Sequence, residues 1–138
     1  MCSSDLYFDS IAPRPKLFPQ SGEERLAALK YHALGDNMLD SLLLRRSEEM
    51  KPEARQTPEW LATFAVKLQN FVTVVEAEAE RLMSGEFTIG HIAIGVALAY
   101  ADFRFGHVNW REGHRRADAW MKTFLARESV VKTAFVDA

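Results

Sequence analysis

The chain has 138 residues, 17 basic against 19 acidic side chains and a formal net charge of −2, with 48% hydrophobic and 26% charged residues. That is room for one core and the composition of an ordinary water-soluble domain. The weak negative charge excludes nucleic acid as the main partner, because phosphate binding needs a concentrated basic face, and the single cysteine, Cys2, excludes an intrachain disulfide framework or a cysteine-based zinc cluster and fits a reducing, cytoplasmic setting.

Residues 1–21 open without the basic start and apolar run of a signal peptide. They are expected to form an extended lead-in, since Pro13, Pro15 and Pro19 each fix their own φ and bias the preceding residue away from helix. Ser21 can cap a helix, with Glu24 at the capping-box position three residues on. The first long helix is expected over 22–50, with Leu26, Leu29, Ala33, Met38 and Leu42 as its apolar stripe. Pro52 breaks it in a charged corner. Thr57 is placed as the next cap, with Pro58 at the first helical position, where a missing N–H costs nothing. The second helix, 58–83, carries Leu61, Phe64, Leu68, Phe71, Val75 and Leu82 as a long seam facing partner helices. Ser84-Gly85 stops it.

The third helix is expected to start at Thr88 and run to about residue 105. Between Ile89 and Ala101 its one ionisable side chain is His91. The uncharged run is too short for a bilayer, which needs about 20 apolar residues, so this helix is expected to be the surrounded centre of a bundle. Its glycines cost about 1 kcal/mol each relative to alanine, which close packing must offset, and Gly95 is the expected contact point. After the turn "GHVNWREG", a fourth helix over 114–127 presents Ala117, Trp120, Met121, Phe124 and Leu125, and a last turn covers 129–133. The fold class is therefore all-α: a helical bundle of four main helices plus a short C-terminal turn.

Candidate chemistry is sparse. His91 and Asp102 share a helix face but lie roughly 16 Å apart along the axis, too far to share a metal or a proton. His91, at the positive end of the helix, is expected to be neutral and bonded to nearby backbone. Asp102 and Arg104 are expected to tie the helix to its neighbours. His32, Asp36 and Asp40 form a ladder four residues apart that is long for one ion and reads as a polar stripe facing a cleft or another domain. There is no Gly-rich phosphate loop, Gly-x-Ser-x-Gly, His-Glu-x-x-His or Cys-x-x-Cys. No catalytic residue and no metal site is assigned.

In order, "YFDSIAPRPKLFP", "HALGDNMLD", "KPEARQTPEW", "GEFTIGHIAIGVALAYADFRF" and "ADAWMKTFLARESVVKT" resemble the C-terminal all-helical domain of bacterial glutathione S-transferases, over residues 7–135. The most specific parts are the third helix and the run formed by Ala119, Trp120, Phe124, Arg127 and Ser129. Two positions depart from the family pattern. His91 stands where the capping box Ser/Thr-x-x-Asp has its acid, so the reciprocal bond of that box is expected to be lost. Glu128 stands where Arg-Pro-Ser has proline.

The resemblance implies a linker-like lead-in over 1–21 and a helical domain over 22–138. It also implies an N-terminal thioredoxin-like domain that holds glutathione and activates its thiol. That domain is expected to be absent from this sequence, because "MCSSD" does not match the family's Glu/Asp-Ser pair. The expected function is therefore the cosubstrate-cleft domain of a glutathione transferase, not catalytic alone, with glutathione as cosubstrate only in intact relatives. Cleft residues carried over by resemblance are Asp36, Leu39, Asp40, Leu43, Tyr100 and Arg104. Expected partners are a second copy, through apolar positions such as Leu43, Leu44, Trp60 and Phe64, or a thioredoxin-like domain, and a small electrophile, with no membrane and no nucleic acid. Two other readings are a protein–protein interaction module of the same fold and the ligand-binding helical domain of a regulator; the second would need a helix-turn-helix, and none is seen.

Overall fold

The computed structural model describes residues 3–20 and 22–136. Among them the helices are α1 (Ser3–Ile11), α2 (Gly22–Glu49), α3 (Pro58–Ser84), α4 (Ile89–Arg104), α5 (Arg115–Leu125) and α6 (Glu128–Lys132), with one 3₁₀ turn at Glu53–Arg55. No strand is present among the described residues, and no helix is long and apolar enough to cross a membrane. Cys2 and the expected cap Ser21 lie outside the described residues.

The lead-in is not extended throughout. α1 forms because its nine residues contain neither glycine nor proline, and the prolines begin only after it. Lys16 folds back on its C-terminal end, where Nζ donates to the carbonyls of Asp9, Ser10 and Ala12. A cation there offsets both the orphan carbonyls and the negative end of the helix. Asp9 Oδ1 accepts from the Leu17 backbone N–H at 2.6 Å, which folds the proline segment over the start of the domain.

α2 buries Ala28, Tyr31, His32, Gly35, Met38, Leu42, Arg45 and Glu48. This face differs from the expected stripe, because polar side chains with internal partners and a glycine occupy inward positions while Leu26 is 70% exposed. Tyr31 Oη donates to Glu78 Oε2 at 2.5 Å, and Lys30 pairs with Glu78 Oε1 at 2.9 Å, tying α2 to α3. Burial, then the bond to Glu78, pushes the Tyr31 phenol up to about 12. At the corner, buried Glu48 accepts from Lys51 Nζ (2.5 Å) and from the Thr57 backbone N–H (2.7 Å). The Thr57 side chain itself makes no capping bond. The anticipated seam of α3 is buried from Phe64 to Leu82. Phe64, expected among the surplus apolar positions, is therefore core.

The most extensive helix contact joins α2 and α4, which run in the same direction. Gly90 lies against Ala28 and Tyr31, Gly35 against Ala93 and Ile94, and the Arg45 guanidinium 4.7 Å over the Phe105 ring. A β-carbon at Gly35 would sit 2.3 Å from the Ala93 carbonyl carbon and 2.6 Å from the Ile94 nitrogen. At Gly90 it would lie 2.6 Å from Tyr31 Cβ and 2.8 Å from Ala28 O. Gly95 is also a contact point, but its neighbour is the Phe124 ring at 2.3 Å, not backbone.

α5 buries Ala117, Trp120, Met121 and Phe124 against α3 and α4, while Leu125 is 39% exposed. Its start is held from a distance: Glu76 Oε2 accepts the Ala117 N–H at 2.7 Å, and His114 Nδ1 lies 2.8 Å from Trp110 O.

Gly35→Ala places a methyl group against backbone that cannot step aside, and is expected to cost about 3 kcal/mol or more. Gly95→Ala meets a side chain that can shift and is expected to cost about 1–3 kcal/mol. Urea denaturation followed by circular dichroism checks both; a Gly35→Ala protein as stable as the parent contradicts the close crossing.

Candidate functional site

α4 is not surrounded on every side, as its composition had suggested. Its Ile92, Val96, Ala99 and Phe103 are only half-buried among the described residues. They form one wall of a groove of about 630 Å³. The opposite wall is the C-terminal segment: Val130 and Val131 of α6, then Thr133, Ala134 and Phe135. Phe87 and Phe124 close one end. An amphipathic helix ordinarily turns its polar face outward; α4 instead has an apolar outward face, which requires a cover or a ligand.

The ionisable residue in this lining is Asp102. Arg111 donates to both its oxygens at 2.6 Å, and Trp110 Nε1 donates to Oδ1 at 2.7 Å. Arg111 also reaches Asp118 Oδ1 at 2.9 Å and lies 4.2 Å over the Trp110 ring. These bonds, that to Asp102 foremost, hold the Arg111 guanidinium above its ordinary pKa. Lys122 beside Asp118, followed by Arg111, holds that carboxyl below its ordinary value. Asp102 thus has the anchoring role expected for it. With its oxygens committed to these donors, Asp102 leaves the groove with an apolar character.

At the C-terminal end of α4, Phe103 stacks on Phe135 (5.5 Å, 15°), Tyr100 meets Phe135 edge-on at 5.7 Å, and the Arg104 guanidinium lies 4.0 Å over Phe103. Tyr100 therefore contacts Phe135 and Arg104 contacts Phe103 of the groove lining, while neither lines the groove itself. Asp36 and Asp40 do not reach it. They line a separate hollow of about 480 Å³ on α2 with Leu29, His32, Ala33 and Asn37, and His32 Nδ1 is 3.6 Å from Asp36 Oδ2. Leu39 packs half-buried against the core, and Leu43 is 46% exposed. Of the sequence-derived set, Asp36 and Asp40 line the α2 hollow and none lines the α4 groove. The residues missed are the whole groove lining, Phe87, Val130 and Phe135 as well as the Ile92, Val96, Ala99 and Phe103 face of α4. The apolar spacing of "VVKTAFV" was the available signal for the C-terminal wall. Among the described residues no group of three or more histidine, cysteine, aspartate or glutamate side chains could hold a metal ion.

Residues 58–123 match the model of the glutathione S-transferase C-terminal domain. A curated relative, the uncharacterized GST-like protein YibF of Escherichia coli K12, is 25% identical over 129 residues, which is 92% of this chain and 64% of that protein. The chain therefore spans less than two thirds of the length of that relative. A glutathione transferase family member from Pseudomonas fluorescens Pf-5, solved with S-(propanoic acid)-glutathione bound, superposes with a TM-score of 0.91 at 30% identity, over 96% of this chain and 69% of its own. A glutathione S-transferase from Methylobacillus flagellatus solved with glutathione shares the fold at 23% identity and a TM-score of 0.87, over 95% of this chain and 66% of its own.

An apolar fluorescent dye is expected to bind the folded protein in the groove along α4. Val96→Glu, which sets a charge in the middle of that wall, is expected to weaken dye binding at least tenfold, about 1.4 kcal/mol. Equal dye affinity in the two proteins by fluorescence titration would place the apolar site elsewhere.

Proposed function

Because the chain belongs to the glutathione transferase family, we propose that it supplies the cosubstrate-cleft half of a glutathione transferase and does not catalyse the reaction by itself. The carrying observation is the open apolar face of α4: the central helix of the fold is half-buried along Ile92, Val96, Ala99 and Phe103. A second uncovered face points the same way, with Leu6, Tyr7, Phe8 and Ile11 of α1 between 38% and 64% exposed. Apolar surface of this kind marks a docking or ligand face. In this reading residues 1–21 are the inter-domain linker and 22–138 the helical domain. A thioredoxin-like domain, on this or a second polypeptide, packs against these faces and holds glutathione.

The reaction is then attack of the glutathione thiolate on an electrophile lodged between the two domains, the thiol being activated by a lowered pKa. This chain's share is to bind the apolar part of the electrophile in the α4 groove, with Tyr100 and Arg104 beside its Phe135 and Phe103, while Asp36, Leu39, Asp40 and Leu43 contribute from the separate outer face of α2. The Pseudomonas fluorescens relative, whose structure contains S-(propanoic acid)-glutathione, supports glutathione as the cosubstrate. The setting proposed is the cytoplasm. The chain is proposed to pair with a second copy through α2 and α3, where Leu43, Leu44 and Trp60 are 46%, 57% and 57% exposed.

Residues 1–138 alone are expected to bind glutathione only weakly. Calorimetry at millimolar glutathione should give a Kd above about 100 μM, roughly −5.5 kcal/mol; tighter binding would mean that the helical domain carries the glutathione site itself. Sedimentation equilibrium is expected to show dimers, and Leu44→Glu with Trp60→Glu is expected to shift them to monomers. A parent protein that stays monomeric at high concentration contradicts the pairing.

A further inference from the structure

The end of α3 and the start of α4 are joined by one imidazole. His91, 6% exposed, is the third residue of α4, and both halves of a capping box with Thr88 are present. The Thr88 backbone N–H donates to His91 Nδ1 at 3.1 Å. On the far side of the ring, Nε2 lies 3.2 Å from the Leu82 carbonyl oxygen. A carbonyl can only accept, so Nε2 carries the proton and Nδ1 is bare. One neutral ring thus satisfies an orphan donor at the start of α4 and an orphan acceptor at the end of α3. The reciprocal bond expected to be lost is therefore kept, because imidazole nitrogen replaces carboxylate oxygen as the acceptor. The carboxylate could not have reached back to Leu82 O as a donor.

We propose that His91 is a pH-operated latch on the α3–α4 corner: closed while its ring is neutral, and released when a proton is added at Nδ1. The added proton faces the Thr88 N–H. The Thr88 hydroxyl, 3.0 Å from Nδ1, can accept that proton, but the Thr88 amide loses its acceptor and stays buried. Burial and the charge of Arg127 disfavour the cation. Phe87 and Trp120 lie at centroid distances of 5.4 and 6.4 Å. Arg127, from the α5–α6 junction, lines the hollow on one side of the ring. On the other side stand Glu24 and Tyr31 of α2, Arg81 of α3 and Glu86 of the corner, none of them hydrogen-bonded to the ring. The positive end of α4 opposes the charge as well.

The direction of the pH effect follows. Burial, more than the Leu82 bond opposes it, holds the His91 pKa in the folded protein below its ordinary 6.5. The unfolded chain then binds the proton more readily. The latch contributes its full stability above the ordinary histidine range and loses it as pH falls through 6.5 toward the folded value. In that window the unfolding constant attributable to His91 rises by up to tenfold per pH unit.

Urea denaturation of the parent and of His91→Asp between pH 5 and 7.5 tests this. The carboxylate keeps the acceptor and titrates near pH 4. The ratio of unfolding constants, parent over variant, is expected to climb by up to tenfold per unit below pH 6.5, with the other histidines cancelling. A ratio constant over the whole range overturns the proposal. Nitrogen NMR of the parent gives a second reading that needs no variant. The His91 ring is expected as the Nε2–H tautomer at pH 7.5, and Thr88 amide protection is expected to fall between pH 7 and 5.5 while that of Ala117 holds. A proton on Nδ1 at pH 7.5, or parallel loss at both amides, overturns it.

Discussion

The structure depends on backbone meeting backbone where α2 crosses α4. Gly35 and Gly90 leave no room for a β-carbon, and each lies against main-chain or near-main-chain atoms of the other helix. Gly35, in the interior of α2, loses about 1 kcal/mol in propensity. That loss is offset by the most extensive helix contact of the fold, which the approach allows. Ile94, Ala97, Leu98 and Ala101 are completely or almost completely buried in the core that this approach helps to close. The small residues of α4 are therefore a packing specification, read by α2.

A second regularity concerns helix starts. The first turn of α3 is served by Glu48 from α2, that of α5 by Glu76 from α3, and that of α4 by His91 from within itself. Two of the three acceptors arrive from another helix, nine and forty-one residues away. Such bonds form only once the elements are assembled, so the capping here follows the tertiary structure and reinforces it. His91 alone both begins a helix and holds the end of the preceding one.

Much of this was legible beforehand. The helices α2 to α5 were read within a few residues of their ends, because breakers stand at their boundaries: Pro52, Pro58, Ser84-Gly85 and the "GHVNWREG" turn. The α3 seam was legible because its apolar residues keep helical spacing without interruption. The α2 face was not, since its inward positions include Tyr31, His32, Arg45 and Glu48, whose partners are remote in sequence. α1 was obscured by the prolines that follow it. The groove was invisible in a different way: an apolar helix looks the same in sequence whether or not something covers it. Asp36 and Tyr100 both came from the family pattern, and only the fold shows that one lines a hollow on α2 while the other packs on Phe135 beside the groove.

The parallel crossing has one more consequence. The α4 wall of the groove cannot recede, because behind it lies the backbone of α2. A ligand entering there meets an anvil. Adjustment to its size falls to the opposite side, where Val130, Phe135 and their neighbours belong to a five-residue helix and the chain after it. The size of what the groove admits is then set by the α6 side, while the helix that gives the fold its character stays fixed.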